Sequence, residues 1–256
     1  MSQLKALVFD VDGTLADTER DGHRVAFNAA FAEAGLDWHW SVELYGELLS
    51  VTGGKERIRY YLDRYNSAFQ RPEDFDAFVA ELHKSKTHHY TQLLSEGRIP
   101  LRSGVLRLLT EARAAGLRLA IATTTTPANV SALLRYSAGD DAEDWFEVIA
   151  AGDIVPAKKP APDIFVYALE ALGLPPSSVI AFEDSAHGLR SALDAGIEAV
   201  VVTVNDYTRQ QDFSDAALVV DQLGEPGTPV EVIKGPDTVE IVDVNALRKL
   251  HARVHG

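Results

Sequence analysis

Short apolar runs punctuate the chain, and each is followed by a stretch with helical spacing. The runs are Ala6 to Phe9, Leu117 to Ala122, Val148 to Ala151, Ser178 to Phe182 and Ala199 to Thr203. Their apolar content is continuous rather than alternating, the pattern of parallel strands covered on both faces. The helical stretches carry their own end signals. Ser103 is placed to cap a helix bearing Leu106, Leu109 and Ala112, which Gly116 ends. Asp163 opens another through Leu169 and Leu172 to Gly173, and Ser185 to Asp194 makes a third before Gly196. Strand alternating with helix predicts an α/β fold built on a doubly wound parallel sheet, Rossmann-like in character.

The interval between the first two strands breaks this rhythm. From about Asp17 to Gly97 the pattern is helical, with Val25, Phe27, Ala30, Phe31 and Ala34 on one stripe, then Leu44 to Leu49, Ile58 to Tyr65 and Phe75 to Tyr90. A crossover between parallel strands needs only about a dozen residues. The excess predicts an all-helical cap at 17–97, inserted into a core made of 1–16 and 98–222, with linkers at Thr14 to Thr18 and Glu96 to Ser103. Residues 223–256 form an extension of unknown role. In it Val230 to Ile233 and Val239 to Val244 read as strands around Gly235-Pro236-Asp237, and Ala246 to Val254 as a short basic helix.

Composition narrows the function classes. The 256 residues are 46% hydrophobic and 24% charged, as in ordinary globular proteins. Asp and Glu total 38 against 24 Lys and Arg, a net charge of -14 that opposes nucleic acid and anionic membranes as partners. A small anionic substrate stays compatible if cations gather at one site. The absence of cysteine removes disulfide, thiolate and cysteine-zinc chemistry. The first residues run directly into a strand with no secretory pattern, so a cytoplasmic location is expected, or the plastid stroma for a plant source. A monomer is expected.

In an open parallel sheet the site lies beyond the carboxyl ends of the strands. There the first strand delivers Asp10 and Asp12, the second Thr123 with Thr124 to Thr126, the third a loop to Lys158 and Lys159, and the fourth Glu183 and Asp184. Phosphoryl transfer explains this set. Asp10 would attack phosphorus and form an aspartyl-phosphate. Mg²⁺ on Asp10 and Asp184, supported by Glu183, would reduce the repulsion between carboxylate and phosphate. Lys159 and the Thr123 hydroxyl would neutralise and orient phosphate oxygens. Asp12 is placed to protonate the leaving alcohol and then to activate water. Each element also has a plain structural reading: Asp-x-Asp-Gly as a turn, Thr123 as a helix start, Lys158 and Lys159 as solvated charges, and Glu183-Asp184 as a strand-end cap.

The four motifs together resemble the haloacid dehalogenase superfamily of phosphatases. They are Phe9-Asp10-Val11-Asp12-Gly13-Thr14, the strand-end Thr123, Lys159 in Lys159-Pro160-Ala161-Pro162-Asp163, and Glu183-Asp184-Ser185. The helical insertion is similar to the C1 cap of the group that includes β-phosphoglucomutase and many sugar phosphatases. The resemblance spans about residues 3 to 222. Within the superfamily, Thr52-Gly53-Gly54-Lys55-Glu56-Arg57, His83-Lys84-Ser85-Lys86-Thr87 and Ala122-Thr123-Thr124-Thr125 resemble the CbbY type, whose members accompany Calvin-cycle enzymes and dephosphorylate xylulose 1,5-bisphosphate.

The resemblance implies a magnesium-dependent sugar bisphosphate phosphatase. Asp10 would be the nucleophile, Asp12 the general acid and base, and magnesium would sit on Asp10, the Asp12 main-chain carbonyl and Asp184. Substrate contacts are implied at Glu19, at Gly53, Gly54, Lys55, Glu56 and Arg57, at His83, Lys84, Ser85 and Lys86, and at Thr126 and Asn129. The basic residues Lys55, Arg57, Lys84 and Lys86 would clamp the second phosphate, or would simply be solvated. Glu19 would accept from a sugar hydroxyl, or favour a helix start. His23 falls one position later than the superfamily's cap histidine, because Asp21-Gly22 reads as an inserted residue. A sugar phosphomutase would use the same core, and a phospho-acceptor signalling domain is a further alternative.

Overall fold

The computed structural model describes residues 3–51, 53–236 and 239–256. Thr52, in the Thr52 to Arg57 segment, and Asp237, in the turn expected after Gly235, lie outside the described residues. The chain divides into two units, one containing the chain up to Asp17 together with Pro100–Gly256, the other Thr18–Ile99.

The first unit is built on one sheet. Its strands are β1 (Ala6–Phe9), β2 (Arg118–Ala122), β3 (Val148–Ala150), β4 (Val179–Glu183), β5 (Val200–Thr203), β6 (Leu218–Val220) and β7 (Val232–Lys234), in the order β3-β2-β1-β4-β5-β6-β7. The first six run parallel, and β7 returns antiparallel along β6. The five expected strands are therefore present. Every residue of β1, β4 and β5 is buried, which is why these runs are continuously apolar. The strand order reverses at β1, so a crevice opens past its carboxyl end between neighbours β2 and β4.

The second unit starts with a π-helix at Thr18–His23 that continues as α1 (Arg24–Glu33), followed by α2 (Val42–Leu48), α3 (Gly54–Arg64) and α4 (Phe75–Ser95). A π-turn holds one more residue than an α-turn, so this segment is wound more loosely than α1. The buried stripe of α1 is Ala26, Phe27, Ala30 and Phe31. Val25 is only half-buried, and Ala34 falls beyond the last helical turn and is exposed, so these two expected positions drop out. Phe27, Phe31, Trp40, Tyr45 and Tyr61 interleave as an aromatic core, with Phe27 and Trp40 centroids 4.6 Å apart.

Helices α5 (Val105–Ala114), α6 (Pro127–Ser137), α7 (Asp163–Leu172), α8 (Ala186–Asp194) and α9 (Val244–His255) complete the first unit. Ser185 caps α8 through Gly188 N, and Gly173 ends α7 in the left-handed conformation, both as expected. Two expectations for α5 are corrected. Its N-cap is Gly104, with no side-chain cap, while the Ser103 carbonyl accepts from Leu223 N at 3.1 Å. Leu106 is 42% exposed, because the inward face is Val105, Leu108, Leu109 and Ala112.

The tail also differs from expectation. Only Val232–Lys234 forms a strand, whereas among its described residues Val239 to Val244 makes isolated backbone bonds, such as Val242 N to Leu223 O at 3.0 Å. The last helix starts at Val244, earlier than Ala246, because Asp243 caps it through Ala246 N. Its buried face, Val244, Leu247, Leu250 and His251, joins the core unit rather than standing apart. Strand β6 was not anticipated, since three residues within Ala216 to Val220 are too short to signal a strand. Among the described residues no helix is long and apolar enough to cross a membrane.

Arg102 ties these pieces together. Its guanidinium donates to the carbonyls of Gly13, of Thr203 (3.0 Å), of Val204 (2.6 Å) and of Asp221 (2.7 Å), and it faces Asp17 at 3.5 Å. One cation thus fixes the turn after β1 to the ends of β5 and β6. Arg102→Ala leaves these carbonyls and Asp17 without their charged donor. It is expected to lower the unfolding free energy by about 3 kcal/mol, read from urea denaturation at neutral pH. A loss under about 1 kcal/mol would deny Arg102 this role.

Candidate active site

Register places the core residues. Phe9 pairs with Ile121 on one side and Phe182 on the other, so Asp10 emerges level with Ala122 and Glu183. Asp10 N bonds Phe182 O at 3.0 Å, and Thr123 N bonds Ala150 O at 2.9 Å, extending the ladders up to the site. Lys159 arrives from the loop before α7 and bridges two carboxylates. Its Nζ donates to Asp10 Oδ1 and to Glu183 Oε1, each at 2.6 Å. Lys158 turns away and pairs with Asp153 at 2.9 Å on the surface, which matches its plain reading. Asp12 is half-buried two residues beyond Asp10, and the buried Thr123 hydroxyl accepts from Thr125 N at 3.4 Å.

Backbone shape makes room for this crowding. Gly13 has φ +82°, and a Cβ there would lie 2.1 Å from Asp184 Oδ2. A side chain at this position would therefore be strained and would expel the carboxylate. Gly188 plays the same part for Glu183, whose Oε2 would meet its Cβ at 1.8 Å. Asn205, which the sequence reading missed, donates from Nδ2 to Asp184 Oδ2 at 2.7 Å. Its Oδ1 accepts from Tyr207 N, so the amide orientation is fixed. Asn205 follows the carboxyl end of β5, and the strand-end rule could have flagged it.

The electrostatics suit a divalent cation. Asp10, Glu183 and Asp184 are buried and offer ligand oxygens within 4.8 Å of one another. Burial pushes Asp184 well above the usual carboxylate range, and the charges of Asp10 and Glu183 push it further. Burial also raises Glu183, against the pull of Lys159. Burial alone would lower Lys159, but Asp10 and Glu183 outweigh it and hold the ammonium protonated. Three carboxylates against one ammonium leave two negative charges, which a hard divalent ion among oxygen ligands would balance. Asp12 is not among the side chains of this group.

Thr126 and Asn129 sit at the start of α6, just past β2. Thr126 Oγ1 accepts from Asn129 N at 3.4 Å as the helix cap, and the Asn129 amide reaches Thr125 Oγ1 at 3.5 Å. Their present partners are each other's segment.

In the inserted unit the expected contacts separate into groups. Glu19, Arg57, Lys86 and His83 turn inward, with Glu19 36% exposed at its side chain and Arg57 10%. Lys86 Nζ lies 2.8 Å from His23 Nδ1 and over the rings of Phe27 and Tyr90, each at 5.2 Å. An ammonium only donates, so Nδ1 accepts and His23 is neutral. Burial, reinforced by Lys86 and Arg57, lowers His23 to about 4 against the pull of Glu19. Gly53, at φ +95°, and Gly54 start α3, and the His83 ring packs where a Gly54 Cβ would stand. Lys55 and Glu56 are exposed on the first turn.

Three of the expected contact residues face protein partners or solvent here. Arg57 donates to Tyr45 Oη at 2.8 Å and to the carbonyls of Leu48 and Val51. Lys84 points to solvent beside Glu81 at 3.8 Å, because positions 84 and 86 fall on different faces of α4. Ser85 donates to Glu33 on α1 at 2.5 Å. Tyr45, which joins Glu19 to Arg57, was missed, since an isolated tyrosine among core aromatics carries no sequence signal.

Gly13→Ala is expected to leave far-UV circular dichroism unchanged while weakening divalent-cation binding about tenfold to a hundredfold by calorimetry. Unaltered affinity would mean that Asp184 is not a ligand. A second expectation concerns pH. The unfolded His23 binds a proton near its ordinary 6.5 and the folded one only near 4, so the unfolded state holds more protons in that window. Stability should therefore fall as pH drops from about 6.5 toward 4, by about 1 to 2 kcal/mol from this residue. Urea denaturation at pH 7 and pH 5 should show a smaller loss for His23→Gln than for the unsubstituted chain.

Comparison with known proteins agrees with this geometry. Residues 4–196 match the family model of haloacid dehalogenase-like hydrolases. Protein CbbY of Rhodobacter capsulatus is 52% identical over 226 residues, which are 88% of this chain and 96% of that protein. A plasmid-encoded CbbY of Cupriavidus necator is 46% identical over 253 residues, 99% of this chain and 98% of that one, and so extends through the tail. Among solved structures, a CbbY variant from Rhodobacter sphaeroides in complex with xylulose-(1,5)bisphosphate superposes with a TM-score of 0.70 at 46% identity, covering 87% of this chain and 97% of that one. With its motifs gathered at the ends of β1, β2 and β4, and this match over most of its length, the chain belongs to the haloacid dehalogenase-like hydrolases.

Proposed function

We propose that the protein is a Mg²⁺-dependent sugar phosphate phosphatase acting through an aspartyl-phosphate, with xylulose 1,5-bisphosphate as its substrate. The observation that carries the reading is the Lys159 bridge between Asp10 and Glu183 beside Asp184. It supplies a nucleophile, an electrostatic partner and a divalent site within one buried cluster. The choice of sugar is supported by the CbbY relatives and by the ligand of the similar Rhodobacter sphaeroides structure.

Asp10 attacks phosphorus with a carboxylate oxygen, and the bond to the leaving sugar oxygen breaks as the new P–O bond forms. Asp12 delivers its proton to that oxygen, leaving as carboxylate. The same carboxylate then takes a proton from water, whose oxygen attacks phosphorus, releasing inorganic phosphate and restoring Asp10. Lys159 holds Asp10 through Oδ1 and neutralises charge on the transferring group. Thr123 offers a hydroxyl to a phosphate oxygen, and Asn205 keeps Asp184 oriented. Held by Asp10, Asp184, Glu183 and the Asp12 carbonyl, Mg²⁺ would supply Lewis-acid charge neutralisation. Lys86, Lys55, His83 and Glu19 are assigned to the sugar and its second phosphate, with Gly53, Gly54 and the first turn of α3 as backbone donors.

A phosphate-release screen of sugar mono- and bisphosphates with Mg²⁺ tests this reading. Xylulose 1,5-bisphosphate should give the highest kcat/KM, with release of free phosphate rather than isomerisation to another sugar phosphate. Asp10→Asn and EDTA treatment should each abolish turnover with the fold intact, and full activity in either case would refute the mechanism.

A further inference from the structure

Tyr45 is wholly buried, and its hydroxyl joins two charged groups of the inserted unit. It donates to Glu19 Oε2 at 2.6 Å and accepts from Arg57 Nη1 at 2.8 Å. Arg57 in turn lies over the Tyr45 ring, 5.1 Å from its centroid, with Nη1 3.9 Å from Glu19 Oε2. Its other nitrogens donate to Leu48 O at 3.3 Å and Val51 O at 3.4 Å. The guanidinium is therefore anchored from three sides beside Glu19. Glu19 Oε1, by contrast, accepts no hydrogen bond from the described residues, and the side chain remains 36% exposed.

Resting on the phosphatase reading, we propose that Tyr45 is a positioning residue for substrate selection, holding Glu19 so that its second carboxylate oxygen accepts from a hydroxyl of a polyol phosphate. An ionised carboxylate accepts and never donates, so it favours sugar hydroxyls and repels phosphate or carboxylate oxygens at the same spot. Three features suit it to that task. The Tyr45 bond fixes the rotamer of Glu19 before ligand arrives, which reduces the ordering cost. Burial would raise the Glu19 pKa, but Arg57, the Tyr45 hydroxyl and Lys86 together hold it low, so the acceptor stays charged at neutral pH. Tyr45 and Arg57 sit on α2 and α3, whose packing on the aromatic core sets both donors. The Arg57 guanidinium, through Tyr45, thus supports a hydroxyl acceptor.

The test compares kcat/KM for the sugar phosphate that the unsubstituted enzyme hydrolyses best with that for p-nitrophenyl phosphate, which carries no hydroxyl. Tyr45→Phe keeps the ring and removes only the hydroxyl. It should reduce the preference for the sugar phosphate about tenfold, mainly through KM. Glu19→Gln should reduce it at least as much, and Tyr45→Phe in the Glu19→Gln background should add nothing further. Equal losses on both substrates would mark Tyr45 as merely structural, and independent additive losses would break the link to Glu19. Either result overturns the inference while leaving the phosphatase reading standing. Should Tyr45→Phe fail to fold, an unchanged preference in Glu19→Gln decides against it. Failure of the unsubstituted enzyme to hydrolyse any sugar phosphate would overturn both.

Discussion

Three carboxylates converge at the centre of the core unit, and the protein must make that convergence tolerable. Asp10, Glu183 and Asp184 are all buried, and water cannot screen them. Lys159 answers part of the repulsion by donating to two of them at once, and it is itself held against the Phe165 ring, 5.1 Å from its centroid. What remains uncompensated is a carboxylate-lined space with two excess negative charges, poised for a hard cation and an anionic group that brings further oxygen ligands. The raised positions of Asp184 and Glu183 express the same imbalance. Catalytic capacity here is electrostatic frustration held in place by a rigid sheet.

The rest of the core unit serves that rigidity. Parallel pairing of β1 with β2 and β4 brings three strand ends to one level, and the strand order leaves a crevice above them. Gly13 and Gly188 leave out the side-chain atoms that would collide with Asp184 and Glu183. Arg102 then locks the Gly13 turn to the carbonyls after β5 and at the end of β6, close to where Asn205 reaches Asp184. The tail strengthens this frame: β7 covers the edge of β6, and α9 packs on α5. The tail therefore contributes to the platform on which the chemistry stands.

The inserted unit follows a different logic. It holds its charged groups among aromatic rings rather than at strand ends. Lys86 lies over Phe27 and Tyr90, His23 stacks on Tyr90 at 3.9 Å, and Arg57 lies over Tyr45. Rings pay little conformational entropy on ordering and tolerate cations on their faces, so they hold these groups without exposing them fully. The π-turn at Thr18–His23 carries His23, whose Nδ1 meets Lys86.

What the sequence by itself determined is the core: the five main strands, the helix stops at Gly173 and Gly196, the acidic motif at Asp10, and the meeting of Asp10, Lys159, Glu183 and Asp184. Those features are local, because a buried parallel strand is a continuous apolar run and its carboxyl end is read directly from where the run stops. Tertiary structure alone decided the fate of charges on the helices. Lys84 and Lys86 are two residues apart, yet one meets solvent and the other a half-buried histidine. Arg57 reads in the sequence as one more cation beside Lys55, whereas in the fold it donates to Tyr45 and two carbonyls. Composition and spacing say that a cation is present, but only packing says which partner reaches it first.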